Sequence, residues 1–110
     1  MARIVALIPD LLFGSSVMSA LQAAGHEVEL TADLDRAGPA ELLIVDLTAD
    51  AEQRIEQVAG RQPPPPVLAF YAHVEADVRE RAEAAGFDLV VPRSRMAREA
   101  PALAERLLAA

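Results

Sequence analysis

Short apolar runs and helical stripes alternate along this chain. Arg3 to Ile8 (RIVALI) is rich in branched residues and closed by Pro9-Asp10, the pattern of a strand buried on both faces. From Leu11 to Ala24 the period changes: Phe13, Val17, Leu21 and Ala24 share one helical face, and Ser15, Ser19 and Gln22 share another. Gly25 is placed to end that helix in the left-handed conformation. His26 to Thr31 sets Val28 and Leu30 against Glu27 and Glu29, the alternation of a strand exposed on one face and suited to a sheet edge.

Asp33 to Ala40 has only Leu34 as a large apolar residue and is broken by Gly38-Pro39, so at most one or two helical turns are expected there. Leu42 to Leu47 (LLIVDL) is again continuously apolar, with Asp46 near its carboxyl end. Asp50 and Gln53 have the spacing of a capping box for a helix with the stripe Ala51, Ile55 and Val58, stopped by Gly60. The prolines from Pro63 to Pro66 read as a stiff extended loop into a strand from Val67 to Tyr71, with a ligand for a proline-binding domain as the alternative. Val74, Val78, Ala82 and Ala85 then form a stripe, with Glu75/Arg79 and Asp77/Arg81 as pairs on the wet side and Gly86 closing the helix. Asp88 to Pro92 is the last strand. A polar turn, Arg93-Ser94-Arg95, leads from it to a final helix with Pro101 at its first position and Leu103 and Leu107 on its buried face.

The order is thus βα repeated five times. It predicts an α/β/α sandwich around a five-stranded parallel sheet of order 2-1-3-4-5, with right-handed crossovers and binding sites at the carboxyl ends of the strands. With 110 residues, 53% of them hydrophobic, one domain spanning residues 1–110 can bury a core without metals or disulfides. Cysteine is absent, which removes thiolate metal sites and cysteine nucleophiles. The net charge of −7 disfavours nucleic acid, because the basic residues are dispersed apart from Arg93, Arg95 and Arg98. No apolar stretch reaches the length of a membrane span. Arg3 and the apolar run after it resemble the start of a signal peptide, but Pro9 and Asp10 interrupt the run and cleavage would remove the first strand. A cytoplasmic protein is expected.

Four segments converge on the carboxyl edge of such a sheet: Ile8-Pro9-Asp10, Asp46-Leu47-Thr48, Tyr71-Ala72-His73 and Pro92-Arg93-Ser94. Here the chain resembles response-regulator receiver domains over its whole length. From Arg3 to Gly25 it aligns without gaps to the receiver start, Asp46 falls on the phosphoacceptor aspartate, and Tyr71 matches a hydroxyl position. Counting from Gly86, Arg93 falls on the receiver lysine and Ser94 on the proline after it. The resemblance implies a flavodoxin-like fold and a signalling role.

The departures carry as much information. Ile8 and Pro9 occupy the positions of the acidic pair that holds magnesium in receivers, and only Asp10, one residue later, is acidic. Magnesium requires near-octahedral oxygen ligation, so a site left with Asp46 alone should hold it poorly, and aspartyl phosphorylation would lack charge neutralisation. Arginine also replaces a compact lysine charge. The chain therefore looks like a pseudo-receiver, similar to short stand-alone bacterial receiver-like proteins.

Three readings of Asp46 stay open: an ion bridge to Arg93 across two strand ends, a phosphoacceptor, or part of an anion-sensing or partner-binding pocket with Asp10, Tyr71, His73, Arg93 and Ser94. His73 reads as a surface or capping histidine, since no second histidine or carboxylate cluster lies near it. Phe13-Gly14-Ser15-Ser16 lacks the spacing of a phosphate loop and reads as a packed first helical turn. No metal, cofactor or catalytic residue is expected. The leading function is a non-enzymatic module that binds itself, as a homodimer, or another protein. Its expected face is built from the fourth predicted helix, the fifth strand and the fifth helix, with Arg79, Glu80, Glu83, Arg95, Arg98 and Glu99, because a chain this short leaves no room for an output domain. A phosphorylatable regulator using Asp46 is the first alternative, and a small flavodoxin-like ligand binder is the second.

Overall fold

A computed structural model describes residues 2–61, 65–72 and 74–109. Strands β1 (Arg3–Leu7), β2 (Glu27–Thr31), β3 (Leu42–Asp46), β4 (Val67–Tyr71) and β5 (Leu89–Pro92) form one parallel sheet in the order β2-β1-β3-β4-β5. Helices α1 (Leu11–Ala23), α2 (Ala51–Ala59), α3 (Ala76–Ala84) and α4 (Arg93–Leu108) alternate with them. The crossover from β2 to β3 is not a full helix but a 3-10 turn, Leu34–Arg36. Leu34 is the only large apolar anchor in this segment, and Gly38-Pro39 stop the turn from growing.

Strand residues of opposite parity feed two cores, as the pleat requires. Val5, Leu7, Leu43, Val45 and Ala69 pack with Leu34, Ile55, Val58, Val78 and Ala82 on the side of α2 and α3. Ile4, Ala6, Ile44, Leu68, Phe70 and Val91 pack with Val17, Leu21, Met96 and Leu103 on the side of α1 and α4. The central strands are therefore apolar at nearly every position. β2, at the edge, is half-buried and keeps its glutamates. Gly14 faces the sheet closely: a Cβ there would stand 3.0 Å from a Leu30 methyl and 3.3 Å from the Ile8 carbonyl oxygen.

Gly25 and Gly86 adopt the left-handed conformation that ends α1 and α3. Several local expectations are corrected. Ala24 and Ala85 are exposed cap residues rather than parts of buried stripes, and Val74 lies before α3 and is 78% exposed. Asp50 precedes α2 with φ 51° and ψ 36° and makes no capping bond. Because Glu75 also lies outside α3, Arg79 pairs with Glu83 at 3.4 Å instead, while Arg81 and Asp77 pair as expected at 3.1 Å.

No polar turn separates β5 from the last helix. α4 starts at Arg93 and is kinked at Glu99 (φ −128°, ψ 17°), two residues before Pro101. Proline has no N–H to donate, and its ring displaces the carbonyl four residues earlier, so the helical path breaks at Glu99 and a second helical stretch follows with Pro101 in its first turn, close to the expected start. Pro63 and Pro64 lie outside the described residues; the Pro66 carbonyl accepts from the Leu43 amide at 2.9 Å. No helix of the described residues is long and apolar enough to cross a membrane.

Candidate functional site

The parallel sheet brings the ends of β1, β3, β4 and β5 to one edge, with Asp46 opposite Phe70 and Tyr71 opposite Pro92 in the strand register. The side chains there divide into two groups.

The first group surrounds Asp46, which is 5% exposed and is the one charged side chain among the buried described residues. Its Oδ1 accepts from the Thr48 amide at 2.8 Å and from the Thr48 hydroxyl at 2.6 Å. A short polar residue two positions on makes this turn locally self-satisfied. Arg54, in the first turn of α2, reaches back across it: Nη1 donates to the Asp46 carbonyl oxygen at 2.6 Å and stands 3.9 Å from Oδ1. Nη2 stands 3.9 Å from Asp50 Oδ2. The Arg54 side chain is only 14% exposed, so this guanidinium is a largely desolvated cation with carboxylates on two sides.

The second group is built on α1 and α4. Asp10 caps α1, its Oδ1 accepting from the Leu12 and Phe13 amides at 3.0 and 3.1 Å. Its Oδ2 lies 3.7 Å from Arg93 Nη2. The Arg93 guanidinium lies over the Phe13 ring, 4.1 Å from its centre, and Phe13 in turn meets Phe70 at 5.0 Å, tilted by 50°. Phe13, Ala72, Pro92, Arg93, Ser94 and Ala97 line an open groove of about 300 Å³.

The ion bridge expected between Asp46 and Arg93 is therefore not formed. Each takes a nearer partner, Arg54 for Asp46 and Asp10 for Arg93. Tyr71 is also separated from them: it is buried in the core on the α2 and α3 side. Its hydroxyl, followed by the Glu83 carboxylate, holds the exposed Arg79 guanidinium above its ordinary pKa. His73 lies outside the described residues. Among the described residues, no three His, Asp or Glu side chains gather to hold a metal ion.

Sequence reasoning missed Arg54 and the stacking role of Phe13; it placed Thr48 at the strand edge but not as the hydrogen-bond partner of Asp46. The i, i+4 spacing of Asp50 and Arg54 was the available signal, since it aims a cation back over the first turn of the helix.

No family model matches the sequence, and no curated protein matches it. Among solved structures the chain is similar to a response regulator from Thermotoga maritima, with 15% identity and a TM-score of 0.82 over 100% of this chain and 99% of that one. It is similar to the non-phosphorylated HemR receiver domain from Leptospira biflexa, with 21% identity and a TM-score of 0.82 over 100% and 96% of the two chains. A response regulator receiver protein from Burkholderia phymatum matches at 19% identity and a TM-score of 0.79, over 99% and 96%. The chain has the fold of a response-regulator receiver domain, of the flavodoxin-like α/β class.

Proposed function

We propose that this chain is a non-catalytic, receiver-like signalling or protein-interaction module that works without a metal ion. The observation that carries this reading is the commitment of Asp46, the residue at the phosphoacceptor-like position, to Thr48 and Arg54. Magnesium, which the receiver resemblance implies, does not suit these side chains. Ile8 and Pro9 offer no carboxylate, Asp10 is engaged as a helix cap beside Arg93, and the pocket of Asp46 already holds a cation.

The partner in this reading is a second copy of the chain or another protein, with no nucleic acid or membrane involved, and the setting is cytoplasmic. α3 and α4 flank the outer edge of β5, and their exposed side chains carry both signs: Arg79 with Glu83, and Arg95 and Arg98 with Glu99. With Glu80 they make a patch able to pair with its own copy about a two-fold axis. A protein partner is also supported by Leu11 and Leu12, which are 74% and 88% exposed at the start of α1.

The test is incubation with magnesium and either acetyl phosphate or beryllofluoride, read by intact mass and by two-dimensional NMR. The proposal expects no phosphoryl adduct and an unchanged spectrum. An adduct at Asp46 would establish the second reading, a phosphorylatable regulator, which the position of Asp46 at the end of β3 favours.

A further inference from the structure

A carboxylate buried at the end of a parallel strand is stabilised by a positive charge close by, and here a cation from the chain itself stands beside it. Three oxygens surround the Arg54 guanidinium: the Asp46 carbonyl at 2.6 Å, Asp46 Oδ1 at 3.9 Å and Asp50 Oδ2 at 3.9 Å. They belong to the two ends of the β3–α2 connection, and Arg54 is the side chain that spans it. Hard oxygen donors of this kind, two carboxylates and a backbone carbonyl, are also those that divalent cations take.

We infer that Arg54 is an internal counter-cation: its guanidinium stands in for a divalent ion at the Asp46 pocket and holds the β3–α2 connection in one permanent arrangement. This rests on the metal-independent reading above and deepens it, because it names the group that makes the pocket independent. The chain then has no empty and filled states of this pocket to switch between, and any signal it carries is set by its concentration or its partner.

The geometry favours arginine over lysine. A guanidinium presents a planar fork that can address the Asp46 carbonyl with one nitrogen and Asp50 with the other, whereas a lysine ammonium is a single point charge. Arg54 is also anchored by the buried neighbours Ile55 and Val58 on its own helix, which fix α2 against the sheet.

The experiment compares the wild-type chain with Arg54→Met by thermal unfolding, each with magnesium or calcium chloride and with sodium chloride at matched ionic strength. Wild type should show no specific response to the divalent ions. Arg54→Met should melt lower, and a divalent ion at about ten times its dissociation constant should raise its midpoint by about 5 °C. Adding Asp46→Asn to Arg54→Met should abolish that rise. If Arg54→Met is unfolded, the same ions should restore the folded circular dichroism signal.

An Arg54→Met chain, folded or unfolded, that ignores divalent ions would overturn the inference while leaving the wild type metal-independent. A wild-type chain that responds specifically to magnesium would instead refute the reading on which the inference rests.

Discussion

The Arg93 guanidinium at the start of α4 lies 4.1 Å above the ring of Phe13 in α1, and Phe13 rests against Phe70 of β4. One stack thus joins the first helix, the last helix and the sheet. Phe13→Ala removes both contacts from a half-buried position and is expected to cost about 2 kcal/mol, less than a fully buried phenylalanine would. In a double-mutant cycle with Arg93→Ala, the coupling should be about 0.5–1 kcal/mol, the range of a partly exposed cation–π contact. Urea unfolding followed by circular dichroism measures both.

The Thr48 hydroxyl donates to a carboxylate that is almost out of water. Thr48→Val keeps the shape and deletes the donor, so a loss of about 1–2 kcal/mol is expected. Thr48→Ser, which keeps the hydroxyl, should recover most of it. A neutral Thr48→Val together with a destabilised Thr48→Ser would show that the methyl group, not the bond, matters.

A Cβ at Gly14 would press on a Leu30 methyl at 3.0 Å and on the Ile8 carbonyl oxygen at 3.3 Å, so a side chain there requires its neighbours to give way. Gly14→Val should destabilise by about 1–3 kcal/mol through overpacking, although valine is compatible with a helix. Chemical denaturation would read the loss, and a neutral result would mean that α1 can move off the sheet.

Val45 is fully buried in the central strand. Val45→Asp places an unpaired charge there at a cost of several kcal/mol, comparable with the whole stability of about 5–15 kcal/mol. The variant should lack cooperative thermal unfolding.

Self-association through the α3–β5–α4 face predicts a dimer at micromolar concentration that weakens in about 0.5 M salt, since exposed charges are then screened. Light scattering decides it. A monomer under all conditions removes the dimer, and a dimer that survives Arg95→Glu combined with Arg98→Glu lies on another face.

The sheet was legible because its evidence is periodic. Runs such as LLIVDL have no polar face and must be covered on both sides, and Gly25 and Gly86 mark helix ends by a conformation that glycine alone adopts cheaply. The site was legible only as a set of strand ends. Which arginine reaches Asp46 depends on side-chain direction: Arg54 is eight residues away in sequence and enters from α2, while Arg93 turns to Asp10 and Phe13. Tyr71 illustrates the same limit, because strand parity sends it to the α2 and α3 side whatever its receiver-like position suggests. The kink at Glu99 was hidden because Pro101 fits a helix start and a helix bend equally well by sequence.

The central claim is that the Asp46 pocket carries its own cation and needs no metal, and calorimetric titration of magnesium into the wild-type chain tests it most directly. The account predicts no saturable heat up to about 10 mM, since the carboxylates of Asp46 and Asp50 are already paired with a guanidinium and leave a poor ligand set. A dissociation constant in the micromolar range that disappears in Asp46→Asn would contradict it.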